Sequence, residues 1–95
     1  MSTFEAELWL HDGESAWSFV TLPADLSDDI ADRTDGSRRG FGSVRVQVTV
    51  GSTTWATSIF PDTERGAYLL PVDKEVRRRE GLEVGDDLRS RLEVV

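Results

Sequence analysis

Residues 44–50, VRVQVTV, alternate without a break: Val44, Val46, Val48 and Val50 fall on one side, and Arg45, Gln47 and Thr49 on the other. Side chains along a strand point to opposite faces in turn, so this pattern describes a strand with one dry face and one wet face. A helix would need its apolar residues three or four positions apart. Such a strand requires partners with the same alternation, and the chain supplies them. In TFEAELWLH, Phe4, Ala6, Leu8 and Leu10 oppose Glu5, Glu7, Trp9 and His11. DGES is a turn signal, AWSFVTL reads as the return strand, and Pro23 ends it. After VRVQVTV, the pair GS turns the chain and TTWATSIF returns as a second hairpin arm. AYLLPV and DLRSRLEVV complete a set of six strands. ADLSDDIADRTD, residues 24–35, carries Leu26, Ile30 and Ala31 at helical spacing among acids and predicts a short amphipathic helix.

Ninety-five residues predict one domain, 1–95, with room for one small core. There is no cysteine, hence no disulfide and no thiolate chemistry. Small secreted domains usually need disulfide staples, so the expectation is a cytoplasmic protein. MSTFEAELWL resembles no signal peptide, and no stretch reaches the length of a membrane span. The net charge of −7 is unevenly spread. Residues 1–35 hold nine acids and one base (net −8), and residues 36–95 hold nine acids and ten bases (net +1). A duplex-binding domain usually shows a basic excess on one face, so this balance argues against DNA as a partner.

Arg77, Arg78 and Arg79 look at first like a nucleic-acid clamp. Each has a local structural reason instead. Asp73 is placed to cap a helix, and the arginines fall in its last turn, where the helix dipole favours cations. Asp73–Arg77 and Glu75–Arg79 stand four apart and are expected to pair. Gly81 suits a left-handed residue after the helix. Val72 and Val76 turn inward, with Leu82 and Val84 sealing the turn beyond.

The chain also echoes itself. FVTLP, helix, glycine turn and strand recur as AYLLP, helix, GLEVGD and strand. Aligning Pro23 with Pro71 sets Leu22 on Leu70 and Val20 on Tyr68, which suggests two interlocked halves closing one small barrel.

No constellation points to catalysis. His11 is the sole imidazole, and no serine sits in a nucleophile elbow. His11, Asp12 and Glu14 lack the further ligands a tight metal site needs. Asp25, Asp28, Asp29 and Asp32 do not have calcium-loop spacing and read as a solvated helix face. No cofactor is implied. The three tryptophans read as core or half-core, Trp9 being the one expected to be most exposed. The glycine loop GSRRGFGS offers directed backbone donors around Gly40 and Gly42 and two guanidinium groups, Arg38 and Arg39. If the echo brings that loop to the rim shared with the second helix, Lys74 and Arg77 flank it, and Phe41 or Tyr68 forms an apolar wall. Such a site would take an anion, since guanidinium forks match carboxylate and phosphate.

The string WSFVTLP, GFGS, W-x-T-S-x-F-P (Trp55 to Pro61), LLPV-x-K-x-VR (Leu69 to Arg77) and G-L-x-x-G-D (Gly81 to Asp86) resembles the DUF1905 family of small bacterial and archaeal domains. The resemblance covers residues 4–94 and implies a small double-split β-barrel, related in architecture to the dimeric DNA-binding barrels of the AbrB and MazE type. The expected fold is thus mainly β, about six strands with two short helices. The expected core includes Leu8, Phe19, Val46, Val48, Trp55, Ile59, Leu70, Val76, Leu82 and Leu92. The family carries no established activity. The functional expectation is a non-catalytic module that binds a small anion or a protein partner, with a DNA-binding regulator as the alternative by analogy with those barrels.

Overall fold

The computed structural model describes residues 2–10, 17–34, 42–62 and 64–95. The fold is mainly β, a closed antiparallel barrel of six strands with two helices. In chain order these are β1 (Ser2–Leu10), β2 (Ser18–Thr21), α1 (Ala24–Thr34), β3 (Val44–Val50), β4 (Thr53–Asp62), β5 (Ala67–Pro71), α2 (Lys74–Glu80) and β6 (Asp87–Val94). Around the barrel the order is β1-β2-β5-β4-β3-β6. Exchanging β1 with β4, β2 with β5 and β3 with β6 leaves that closed order unchanged. The sequence echo has the same centre. Its offset, 71 − 23 = 48, equals that of the registered pair Thr21↔Leu69, 69 − 21 = 48. The two long strands each divide their pairing. β1 pairs with β6 through residues 2–7 and with β2 through 8–10; β4 pairs with β3 through 53–59 and with β5 through 60–62.

The alternation dictates the core. Val44, Val46, Val48 and Val50 all point inward, and they meet Phe4, Leu8, Val20, Ile59, Leu70, Leu88 and Leu92. Burying each such side chain contributes roughly 1.5–3 kcal/mol. Leu8, Val46, Val48, Ile59, Leu70, Val76 and Leu92 take the core positions expected of them. Trp55 and Leu82 are half-buried and pack against the core from its edge. Phe19 does not join it. On β2 the inward residues are Ser18 and Val20, so strand parity turns Phe19 outward.

The helices cover opposite ends of the barrel. α1 follows Pro23 and packs beside the start of β5, where the buried Ser27 Oγ accepts the Tyr68 N–H at 3.1 Å. α2 follows the end of β5 and packs against the start of β4. There the Glu80 carboxylate accepts from Thr53 Oγ1 at 2.6 Å and Ser52 Oγ at 3.1 Å, gripping the β3–β4 turn. Gly81 adopts the left-handed conformation, φ 65°, and the Leu82 N–H returns to the Arg77 carbonyl at 2.9 Å. Two expectations for α2 need correction. Asp73 stands at the N-cap, but its side chain makes no capping bond. No ion pair joins it to Arg77 either. Arg77 lies partly buried against the barrel, so it turns away from the solvent side, where Glu75 pairs with Arg78 and Arg79. Val84 is half exposed and seals nothing.

Candidate functional site

The sequence placed an anion site across the glycine loop and the second helix. Arg38, Arg39, Gly40 and Phe41 lie outside the described residues, as do His11, Asp12 and Glu14. Gly42 takes a positive φ of 76° just ahead of β3. The register Val44↔Ile59 sets it near the end of β4, the same end of the barrel as the start of β5. Tyr68 stands at that start and is 3% exposed. Lys74 and Arg77 follow the other end of β5. Among the four described residues of that set, the structure groups Gly42 with Tyr68 and Lys74 with Arg77, at opposite ends. Arg77 carries a buried Nε with no protein acceptor, and the Trp55 indole N–H on neighbouring β4 is also unmatched.

The outer surface of the barrel divides into two unlike faces. Over β1, β6 and β3 it is polar, with Thr3, Glu5, Arg89, Arg91, Glu93 and Arg45 all exposed. Thr3, Thr49, Gly51, Arg89 and Arg91 line a shallow hollow of about 500 Å³ there. Its arginines are flanked by acids: Glu5 is the registered partner of Arg89, and Glu93 stands two residues beyond Arg91. Along the outward row of β6 the two arginines stand between Asp87 and Glu93, so the basic stretch is short.

The other face, over the end of β1, β2, β5 and the end of β4, is aromatic. Outward pairs run Trp9↔Phe19↔Pro71 in one row and Thr21↔Leu69↔Phe60 in the next. The Trp9 and Phe19 rings lie 5.3 Å apart, and Trp17 stacks on Phe19 at 6.4 Å with 20° between the planes. Trp9 donates its indole N–H to Thr21 Oγ1 at 2.9 Å, which fixes the ring. The Arg65 guanidinium sits 4.1 Å over that ring, while its Nη1 holds Asp62 at 2.7 Å. Arg65 thereby keeps the Asp62 carboxyl below its usual range. Trp17 remains 52% exposed and Phe60 46%. Trp9, on the polar face of its strand, is expected to be the most exposed tryptophan. Instead Trp9 is half-buried under Arg65, and Trp17 is the open one.

Where this face meets α1 there is a cleft of about 210 Å³, with Ala31, Pro61 and Tyr68 among its walls and Asp28 and Asp62 on its lining. α1 presents Asp25, Asp28, Asp29 and Asp32 to solvent, and Asp29 pairs with Arg33 at 3.2 Å. Among the described residues no group of three or more acids or histidines is arranged to hold a metal, and no helix is long and apolar enough to cross a membrane.

A family model described as a domain of unknown function matches residues 4–92. The chain belongs to the DUF1905 family. Among curated proteins, none matches it. In this DUF1905 chain the inward valines and leucines account for the barrel, and the core makes no demand for Trp17 or Phe60. The parity of SFVT, with Val20 inward, was the signal in the sequence that put Phe19 outward beside Trp9.

Proposed function

We propose that this chain is a non-catalytic interaction module that meets a protein partner through its aromatic outer face. The observation that carries the reading is the half-exposed Trp17, stacked on Phe19 and continuous with Trp9, Leu69 and Phe60 on one side of a barrel whose other side is polar. A monomer has no folding reason to hold large aromatic side chains in water at adjacent positions, whereas interfaces concentrate them in their centres. The rings are also pre-positioned by a cross-strand ladder and a fixed indole, which lowers the ordering cost of association.

The test is site-specific photocrosslinking in the native host. A photoreactive phenylalanine analogue at position 17 should give a discrete adduct with another protein, and the same analogue at position 45, on the polar face, should give none. Equal labelling from both positions, or none from position 17, would refute the reading.

A further inference from the structure

We infer that the cleft between α1 and the β4–β5 turn receives a lysine or arginine side chain of the partner that covers the aromatic face. The inference rests on the interaction reading above and specifies the partner's chemistry. At about 210 Å³ the cleft falls below the usual size of a small-molecule site and suits one long side chain. Its walls at Ala31, Pro61 and Ala67 are apolar, which fits an aliphatic stem. Its charged lining residues are Asp28 and Asp62, both acids. One Asp62 oxygen holds Arg65, which reaches outward over Trp9, and the other accepts the Glu64 N–H, so Asp28 is the acid of the cleft that is open to a new cation. Asp28, in contrast with Asp29, has no ion pair among the described residues. An anion would meet two carboxylates here; a cation on an apolar stem meets complementary groups at both ends of its length.

The position strengthens the charge argument. Asp62 and Ala67 of the cleft are a registered pair two residues beyond the pair Phe60↔Leu69 on the same side of their strands, so cleft and face share a border. The neighbouring helix adds further exposed acids, and the chain as a whole carries −7. A partner segment that lays apolar residues across Phe60, Leu69 and Trp17 is thus led to place a cation at the α1 end. Trp9 already shows that a guanidinium is accepted on this side of the barrel.

Two capped synthetic peptides test this, alike in their leucines and phenylalanines and differing only in lysine or glutamate between them. Binding is followed by tryptophan fluorescence at physiological salt. The lysine peptide should bind roughly tenfold more tightly than the glutamate peptide. Asp28→Asn should weaken the lysine peptide by about fivefold. Asp29→Asn removes the same charge from the same helix but lies off the cleft, and should leave that affinity unchanged. If both variants weaken binding alike, attraction is general and the cleft is not the site. Equal binding of the two peptides, with loss of both in Trp17→Ala, would keep the aromatic face and overturn the cation cleft. If neither peptide binds, both readings are overturned.

Discussion

Gly51→Ala should be among the most damaging single-methyl changes available on this surface, for two separable reasons. Gly51 occupies the β3–β4 turn with φ 59°, in the left-handed region that costs an ordinary residue roughly 1–2 kcal/mol. A methyl there would also collide with the Glu80 carboxylate, whose Cδ would stand 2.9 Å away. Glu80 could yield only by leaving the Thr53 and Ser52 hydroxyls it accepts from. For a domain of this size 1 kcal/mol corresponds to about 4–8 °C in Tm, so backbone strain alone should lower Tm by roughly 5–15 °C. Differential scanning calorimetry of a double-mutant cycle separates the terms. In a Glu80→Ala background the collision is gone, and Gly51→Ala should cost its strain alone. Gly51→Asn should behave in the opposite way, easing the strain and keeping the collision. Equal cost for Gly51→Ala with and without Glu80 would refute the steric argument, and no cost in either background would refute both parts.

Ser27→Ala should strand the buried Tyr68 N–H and lower stability by about 1–3 kcal/mol, measured by urea denaturation. Glu80 is held below the usual carboxylate range, first by the Thr53 hydroxyl and then by Ser52. A depressed folded pKa adds stability above the unfolded value and loses it as pH falls through the folded one. The stability difference between wild type and Glu80→Gln should therefore be largest near neutrality and shrink between about pH 5 and pH 3, as followed by thermal melts. No sequence-specific duplex binding is expected at about 150 mM salt; a Kd well below the micromolar non-specific range in a fluorescence anisotropy titration would contradict it.

The strand pattern was open to direct reading because period two is a local signal. VRVQVTV matches β3 residue for residue, and α1 covers Ala24–Thr34 of the helix expected over 24–35, residue 35 lying outside the described residues. The aromatic face was harder to see. Phe19 sits in a strand of only four residues, with Trp17 just ahead of it, so the parity that turns Phe19 outward is a faint signal. Pairing with β1 and β5 fixes the outward direction of Phe19, with Trp9 and Pro71 in the same row. The cleft was hidden for a similar reason: Asp28 and Asp62 are 34 residues apart (62 − 28), and only the docking of α1 beside β5 unites them. Among the helix-end arginines, the sequence pattern pairs Arg77 with Asp73 and Arg79 with Glu75 and sets Arg78 against the helix dipole. The Glu75–Arg79 pair forms and Arg78 joins it on Glu75, but burial against β4 took Arg77 elsewhere, and burial is a tertiary fact.

The place of β6 governs how this barrel comes into being. β6 lies between β1 and β3, so the sheet closes through its last strand, and the pair Ser2↔Leu92 joins residues 90 apart (92 − 2). Contacts so distant in sequence must wait for most of the chain to be gathered, which slows folding into the millisecond-to-second range typical of non-local β structures. A chain still being synthesised presents β1 and β3 with one unpaired edge each until residues 87–94 have emerged. During that interval the alternating valines of β3 border an open edge, the condition under which strands of neighbouring nascent chains pair with each other.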